Sequence, residues 1–281
     1  MSSTTHTAIG RLHRLRTDFE GHRVRTDLDV FVVPNYAQDY LGVDPAAIQC
    51  ALETKYPVRS MGDKIQPGVV QWVNGDNESL HYRGNALLRG KIWLQRGKPE
   101  TEGWRRYYYT GWQWPILPAT ADVTLCPEML PLADAYDAWA SGLGFSKANH
   151  YIVTKYADKL HNIGMHFDKP VDIEPESLIT VVKTGEHGRP FAIETLDGKP
   201  LFSKVLQPGT AVIMTLEANL QTKHGVPVCE DECGSSGSIV FRTITRKVSM
   251  EEAQREIALS LRGKEKRQAG KFKRKYQCDI D

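Results

Sequence analysis

The sequence predicts an α+β protein with a mainly β core, either a sandwich or a jelly roll. The first observation is composition: 281 residues, 41% apolar and 25% charged, are typical of a globular chain with one large domain or two small ones. The second is a series of short β-rich runs separated by Gly, Pro and Asp, which is typical of all-β architectures. These runs are residues 151–155, 178–182, 191–194, 210–215 and 238–245.

The first half of the chain predicts a mixture of helices and strands around this β core. An apolar run at 30–33 and another at 69–73 predict strands, and residues 44–56 predict a helix ended by Pro57. Apolar residues at helical spacing predict a helix over 130–142. Ser249 to Glu252 fits a capping box, which predicts that a helix begins there and continues towards the C-terminus.

Several classes of protein are excluded by the sequence. The longest purely apolar runs are far shorter than the roughly 18 residues of a membrane-spanning helix. Five widely spaced cysteines do not indicate a disulfide framework, and no secretory signal is present, so we expect an intracellular protein, cytoplasmic or nuclear. The first 16 residues are rich in Ser, Thr and Arg and lack acids, which leaves mitochondrial targeting open.

The positive charge is concentrated near the C-terminus. The whole chain carries a formal charge of +2, but residues 262–276 hold eight Lys or Arg and one acid, a local charge of +7. Such a run attracts nucleic-acid phosphates or an anionic surface. The alternative is a solvated terminus without a binding role.

Residues 82–114 interleave aromatic and basic side chains. This pattern suits the stacking of bases combined with phosphate contacts, although for this segment taken alone aromatics packed inward from amphipathic strands are the more ordinary explanation. Trp93 and Trp104 belong to the pattern. The candidates for stacking on a base are Tyr107, Tyr108, Tyr109, Trp112 and Trp114.

One set of residues predicts a metal site. His166 and Asp168 are two apart, so on an extended strand both side chains face the same way and both could bind one metal. With His224 they supply the two imidazoles and one carboxylate of non-haem iron(II) oxygenases, which leave positions open for an oxoacid and dioxygen. Arg242 on the last strand could bind the oxoacid carboxylate with its guanidinium fork. A zinc site of His224, Cys229 and Cys233 is the alternative.

From about residue 112 to 245 the sequence resembles the AlkB-like iron(II) and 2-oxoglutarate-dependent dioxygenases. The resemblance implies a double-stranded β-helix (jelly roll) with flanking helices and an N-terminal lid. It implies that His166, Asp168 and His224 bind Fe(II), and that Tyr156 and Arg242 hold the co-substrate 2-oxoglutarate. Besides Tyr156, the resemblance is carried by IGMHFD (163–168), RPF (189–191), LQPGTAVIM (206–214), HGVP (224–227) and SIVFR (238–242).

One position departs from the family pattern. The last strand of the family usually carries two arginines six apart, and Ser236 stands six residues before Arg242. We therefore predict that Arg246, Lys155 or another cation binds the distal carboxylate of 2-oxoglutarate, or that the co-substrate is a different one.

The resemblance and the basic tail together predict an enzyme that hydroxylates or demethylates an alkylated nucleobase in DNA or RNA, with the base flipped into the pocket. The predicted organisation is one structural domain in three parts. These are an N-terminal extension and lid (1–115), the oxygenase core (116–248), and a C-terminal helix with the basic tail (249–281). A ligand at the rim of a jelly roll contributes little to core burial, so we expect Asp168→Ala to leave the fold intact.

Three alternatives stay open. The first is a TET-like enzyme that hydroxylates the carbon-linked methyl group of 5-methylcytosine, which would remain as hydroxymethyl. The second is an Fe(II)-dependent oxygenase of a small metabolite or a protein side chain. The third is a binding module whose iron site has decayed.

Overall fold

The structure, a computed structural model, describes residues 2–60, 68–74, 81–82, 85–86, 89–105, 120–230, 234–252 and 255. The helices are α1 (Ser2–Asp18), α2 (Tyr36–Asp39), α3 (Pro45–Lys55), α4 (Pro99–Glu102), α5 (Leu130–Leu143) and α6 (Leu216–Gln221). The strands outside the predicted β core are β1 (Val30–Val33), β2 (Val58–Ser60), β3 (Trp72–Asn74), β4 (His81–Tyr82), β5 (Asn85–Ala86), β6 (Gly90–Gln95), β7 (Trp104–Arg105), β8 (Thr120–Asp122) and β17 (Lys247–Val248). The strands of the core are β9 (His150–Tyr156), β10 (Ile163–His166), β11 (Leu178–Gly185), β12 (Arg189–Thr195), β13 (Pro200–Leu206), β14 (Ala211–Thr215), β15 (Thr222–Val226) and β16 (Ser236–Arg242).

The eight strands β9 to β16 form two facing sheets. The larger sheet contains the order β14-β11-β16-β9 and the smaller one the order β10-β15-β12-β13, with every one of these neighbours antiparallel. Apart from the hairpin β12–β13, the chain passes from one sheet to the other or to a non-adjacent strand, which is the winding of a double-stranded β-helix. The predicted jelly roll is confirmed.

The N-terminal part of the chain extends the larger sheet on both sides. Strand β1 pairs with β14 at one edge, and β6, β3 and β2 continue the sheet beyond β9. Strand β8 pairs with β6 in parallel. Thus strands from before residue 115 and strands of the β core share one sheet. The division of the chain into three parts stays a prediction.

The larger sheet is buried on both faces. Its inner face packs against the smaller sheet through a cluster that includes Tyr156, Phe191 and Met214. Its outer face is covered by residues of α1, α3 and α5, and the Tyr136 hydroxyl lies 3.0 Å from Thr180 Oγ1 of β11. Burial on both faces explains why β11 and β14 read as continuous apolar runs in the sequence.

The helix signals in the sequence are confirmed with small shifts. Asp44 accepts hydrogen bonds from the amides of Ala46 and Ala47 and so caps α3. The helix therefore begins at Pro45, one residue after the predicted start. Helix α5 ends at Leu143 rather than at Gly142, because Gly144 takes the left-handed conformation (φ +88°) that closes the helix. The Glu252 amide donates to Ser249 Oγ at 3.1 Å, as the capping box predicts.

Two aromatics assigned to the stacking pattern have structural roles instead. Trp93 lies in β6 and Trp104 in β7, and their side chains are only 5% and 7% exposed. The inward-packed explanation is therefore the correct one for these two. Among the described residues, no helix combines the length and apolar character needed to cross a membrane.

Candidate metal and co-substrate site

Strands β10 and β15 place two histidines side by side at the end of the smaller sheet. His166 is the last residue of β10 and pairs across the ladder with His224 of β15, with ring centroids 4.6 Å apart. Asp168 follows two residues after His166. One ligand atom from each of the three residues lies within 4.8 Å of the other two. The structure therefore brings the three predicted metal ligands together.

Asp168 is held by its backbone as well as by its side chain. Its amide donates to Asn219 Oδ1 at 2.8 Å, and the Asn219 side-chain amide donates to the Asp168 carbonyl at 2.8 Å. Asn219 is fully buried on α6, which connects β14 to β15. We infer that Asn219 is a positioning residue. Sequence reasoning missed it, because only the fold brings residues 168 and 219 together.

The carboxylate of Asp168 forms a buried ion pair with Arg242. Arg242 Nε donates to Asp168 Oδ2 at 2.9 Å and Nη2 donates to Oδ1 at 2.7 Å, with the two side chains 5% and 2% exposed. This forked geometry fixes the plane of the carboxylate. The expectation for Arg242 was a bidentate contact with the co-substrate, whereas the structure directs this fork to Asp168.

The two imidazoles are suited to metal binding because both stay neutral at pH 7. Burial lowers the pKa of His166, and burial together with the neighbouring His166 lowers the pKa of His224 to about 3. His166 Nδ1 lies 2.8 Å from the Gly164 carbonyl and donates to it, which leaves Nε2 as an acceptor for a metal. Two neutral imidazoles and one carboxylate are the donor set of facial-triad iron(II) sites, so the residues fit that ion.

Tyr156 lies at the far end of the space between the sheets, among cations. The Lys183 ammonium is 5.1 Å and the Arg189 guanidinium carbon 4.8 Å from the centroid of the Tyr156 ring. Sequence reasoning assigned no role to Lys183 or Arg189. A lysine directly after the apolar run 178–182 was the available signal, because a charged residue in a strand buried on both faces is rare without a partner.

The other predicted cations lie in different surroundings. Lys155 is ion-paired with Glu53 of α3, on the outer face of the larger sheet. Arg246 pairs with Glu252 at 2.7 Å, and both side chains are about 40% exposed. Their predicted contact with 2-oxoglutarate gains no support from these positions. The aromatic candidates Tyr107, Tyr108, Tyr109, Trp112 and Trp114, and the basic tail, lie outside the described residues.

The zinc alternative is disfavoured by the state of Cys229. This cysteine is disulfide-bonded and so offers no thiolate to a metal. The bond also differs from the expectation of an intracellular protein without a disulfide framework. Cys50 and Cys126 have free thiols.

Comparisons with known proteins give distant structural similarity and no sequence match. No family model and no curated protein sequence matches this chain. The solved structure of OsALKBH1 is similar with 13% identity over 78% of this chain and 98% of that chain, with a TM-score of 0.45. An oxidoreductase of the 2OG-Fe(II) oxygenase family from Burkholderia pseudomallei is similar with 14% identity, over 86% and 92% of the chains, with a TM-score of 0.42. Similarity this remote assigns no activity to the chain.

Replacing Asn219 by alanine is expected to weaken iron(II) binding by about 10- to 100-fold, the usual effect of removing a group that orients a metal ligand. It leaves the buried amide and carbonyl of Asp168 without their partner, which costs about 1–3 kcal/mol of stability. Anaerobic iron(II) titration checks the affinity. Gln221→Ala, an exposed change on the same helix, is the matched control and should bind iron normally. Normal iron affinity in a folded Asn219→Ala protein would refute the positioning role.

Proposed function

We propose that the protein is an Fe(II)- and 2-oxoglutarate-dependent dioxygenase. The observation that carries this proposal is the convergence of His166, Asp168 and His224 within 4.8 Å at the end of a double-stranded β-helix. Iron(II) with 2-oxoglutarate supplies activation of dioxygen, which puts one oxygen atom into the substrate and the other into succinate as carbon dioxide leaves.

The residues of the chain prepare this site in three ways. His166 and His224 are neutral and offer nitrogen lone pairs, while the forked contact with Arg242 orients the carboxylate of Asp168. Phe191 stacks on the His224 ring with centroids 6.1 Å apart and planes 14° from parallel, which excludes water from that side of the imidazole. His166, Asp168 and His224 would hold the iron as a three-ligand set, which would leave other positions for co-substrate and substrate.

We propose further that the substrate is an alkyl group on a nucleobase of DNA or RNA. Support comes from the +7 charge of residues 262–276 and from the aromatic cluster of residues 107–114. The enzyme must take the base out of any duplex to bring its alkyl carbon to the metal. Hydroxylation of an N-linked methyl gives a hemiaminal that releases formaldehyde, whereas a carbon-linked methyl stays as hydroxymethyl.

The test is a turnover assay on short oligonucleotides that carry N-methylated or C-methylated bases, with succinate and formaldehyde measured together. We expect oligonucleotide-stimulated succinate formation, with matching formaldehyde from an N-methylated base. His166→Ala should remove both products. Hydroxymethyl product without formaldehyde would identify a carbon-methyl hydroxylase. Succinate formation that methylated oligonucleotides never stimulate would overturn the nucleic-acid proposal and favour a small-molecule or protein substrate.

Truncation after Leu261 is expected to weaken oligonucleotide binding regardless of sequence and to flatten its salt dependence. Each lost phosphate contact should change the slope of log affinity against log salt by about 0.7 to 0.9. Fluorescence anisotropy at several salt concentrations measures both. A full-length variant with the eight tail cations changed to glutamine should behave like the truncation. An unchanged slope in both proteins would contradict the role of the tail.

The control for this prediction removes stacking instead of charge. Trp112→Ala is expected to lose about 1–3 kcal/mol of binding for each base contacted, with little change in the salt slope. The two kinds of variant therefore separate phosphate contacts from base contacts.

A further inference from the structure

Two cations are buried together around Tyr156, where β9, β11 and β12 meet. Lys183 is 1% exposed and Arg189 is completely buried, and both charged groups lie about 5 Å from the centroid of the Tyr156 ring. Ser236, the first residue of β16, pairs with Tyr156 in the ladder and is also buried. We call Lys183, Arg189, Tyr156 and Ser236 the cation pocket.

The polar atoms of the cation pocket are largely unsatisfied. Lys183 Nζ, Arg189 Nε and Nη1, and Ser236 Oγ are buried and have no hydrogen-bond partner among the described residues. Arg189 Nη2 donates to the backbone carbonyls of Asp158 and His161. Because an unpaired buried charge is very costly, this arrangement indicates a pocket completed by an anion.

The electrostatics agree with a pocket that binds an anion. Burial, together with the positive charge of Arg189, lowers the pKa of Lys183 to about 7. Burial also lowers the pKa of Arg189, although Tyr156 and Asp158 oppose this. The groups that face Lys183 from β12 and β9 are thus a second cation and a phenol, and neither is a carboxylate.

The cation pocket and the metal ligands line the same interior. Arg189 and Phe191 are two apart and face the same side of β12, about 6.6 Å along the strand, and Phe191 stacks on His224. On β16, Ser236 and Arg242 also share a face, with Ser236 at the pocket and Arg242 on Asp168. The metal ligands and the two cations therefore open onto one interior between the sheets.

We propose that Lys183 and Arg189 bind the distal carboxylate of 2-oxoglutarate, replacing the arginine that the family pattern places at Ser236. This inference rests on the proposed function. A serine is smaller than an arginine and so leaves space beside Tyr156. The side chains of Lys183 and Arg189 extend into this space from β11 and β12, whereas the arginine of the family pattern would extend from β16. Lys155 is not equivalent, because the alternation of β9 puts its side chain on the opposite face from Tyr156, where Glu53 neutralises it.

The test compares two oxoacids that differ in the distal carboxylate. Full-length protein loaded with iron(II) is titrated without oxygen with 2-oxoglutarate and with pyruvate, and binding is followed by calorimetry and by the visible charge-transfer band. For Lys183→Met we expect binding of 2-oxoglutarate to weaken about 10- to 150-fold, the range for losing a hydrogen bond to a charged group, with pyruvate binding unchanged. Lys155→Met is the matched control and should change neither affinity.

The outcomes separate this inference from the proposed function. The pocket assignment would be overturned if folded Lys183→Met lost affinity equally for both oxoacids or kept its affinity for both. The iron site would still stand. If no oxoacid forms a chelate in the wild type, the proposed function fails. The pocket is then tested by titrating glutarate into the metal-free protein. Glutarate binding that is lost in Lys183→Met supports a dicarboxylate pocket. If glutarate does not bind, the pocket assignment is overturned. Arg189→Met is a second variant, with its fold checked by thermal melting.

Discussion

Asp168→Ala is expected to abolish iron(II) binding and to lower the free energy of unfolding by about 3–5 kcal/mol. Loss of the metal follows from removing the carboxylate of a three-residue donor set. Loss of stability follows because Arg242 would stay buried without its partner carboxylate. Anaerobic iron titration and urea unfolding measure the two effects. The expectation that this change leaves the fold unaffected is thereby revised, since Asp168 is not an exposed residue at the rim.

Two variants serve as controls. Glu176→Ala breaks another bidentate pair, with Arg11, but this carboxylate is 54% exposed, so solvent screens the pair and the loss of stability should be small. Asp168→Ala combined with Arg242→Met removes both buried charges and should recover much of the stability without restoring iron binding. If Asp168→Ala is as stable as the wild type, the buried pair is not the stabilising contact described above.

Lys183→Met is expected to stabilise the metal-free protein at pH 6 by up to roughly 4 kcal/mol. This figure follows from the difference between the pKa of Lys183 in the folded state, about 7, and the pKa of a lysine in the unfolded chain, about 10.4. The folded state resists protonation of this lysine. The cost of protonating it is therefore fully present below about pH 7, and it fades as the pH rises towards 10. Methionine removes the charge and keeps an unbranched side chain of similar length.

Urea unfolding of metal-free wild type and Lys183→Met between pH 6 and pH 10 measures this effect. The advantage of the variant should shrink steadily with increasing pH. Lys204→Met, which removes an exposed lysine of β13, should show no such trend. Constant or negative differences across the range would mean that Lys183 is not a destabilising buried cation in the free protein.

The sequence predicted much of the β core because the four core strands of the larger sheet are buried on both faces. Strands β9, β11, β14 and β16 therefore appear as apolar runs. Strand β13 was not predicted, since the exposed polar residues Ser203 and Lys204 interrupt its apolar residues. Strand β6 was obscured by the aromatic and basic residues around it, although Trp93 within it is part of the buried sheet.

The candidate metal ligands were predictable because His166 and Asp168 form a local motif and His224 follows at a spacing seen in a known family. The groups that support them were not predictable in the same way. Asn219 and Arg242 reach Asp168 only through the packing of α6 and β16 against the end of β10. Arg242 shows the limit most clearly, because the sequence indicated a carboxylate partner without indicating which carboxylate.

The most direct test of the central claim is an anaerobic titration of the full-length protein with iron(II), with and without 2-oxoglutarate, followed in the visible spectrum. We predict one equivalent of iron bound, and a weak charge-transfer band that develops only when both iron and 2-oxoglutarate are present. The band should be absent in His166→Ala and Asp168→Ala. A wild-type protein that binds no iron, or a band that persists in both variants, would contradict the assignment of His166, Asp168 and His224 as an iron(II) site.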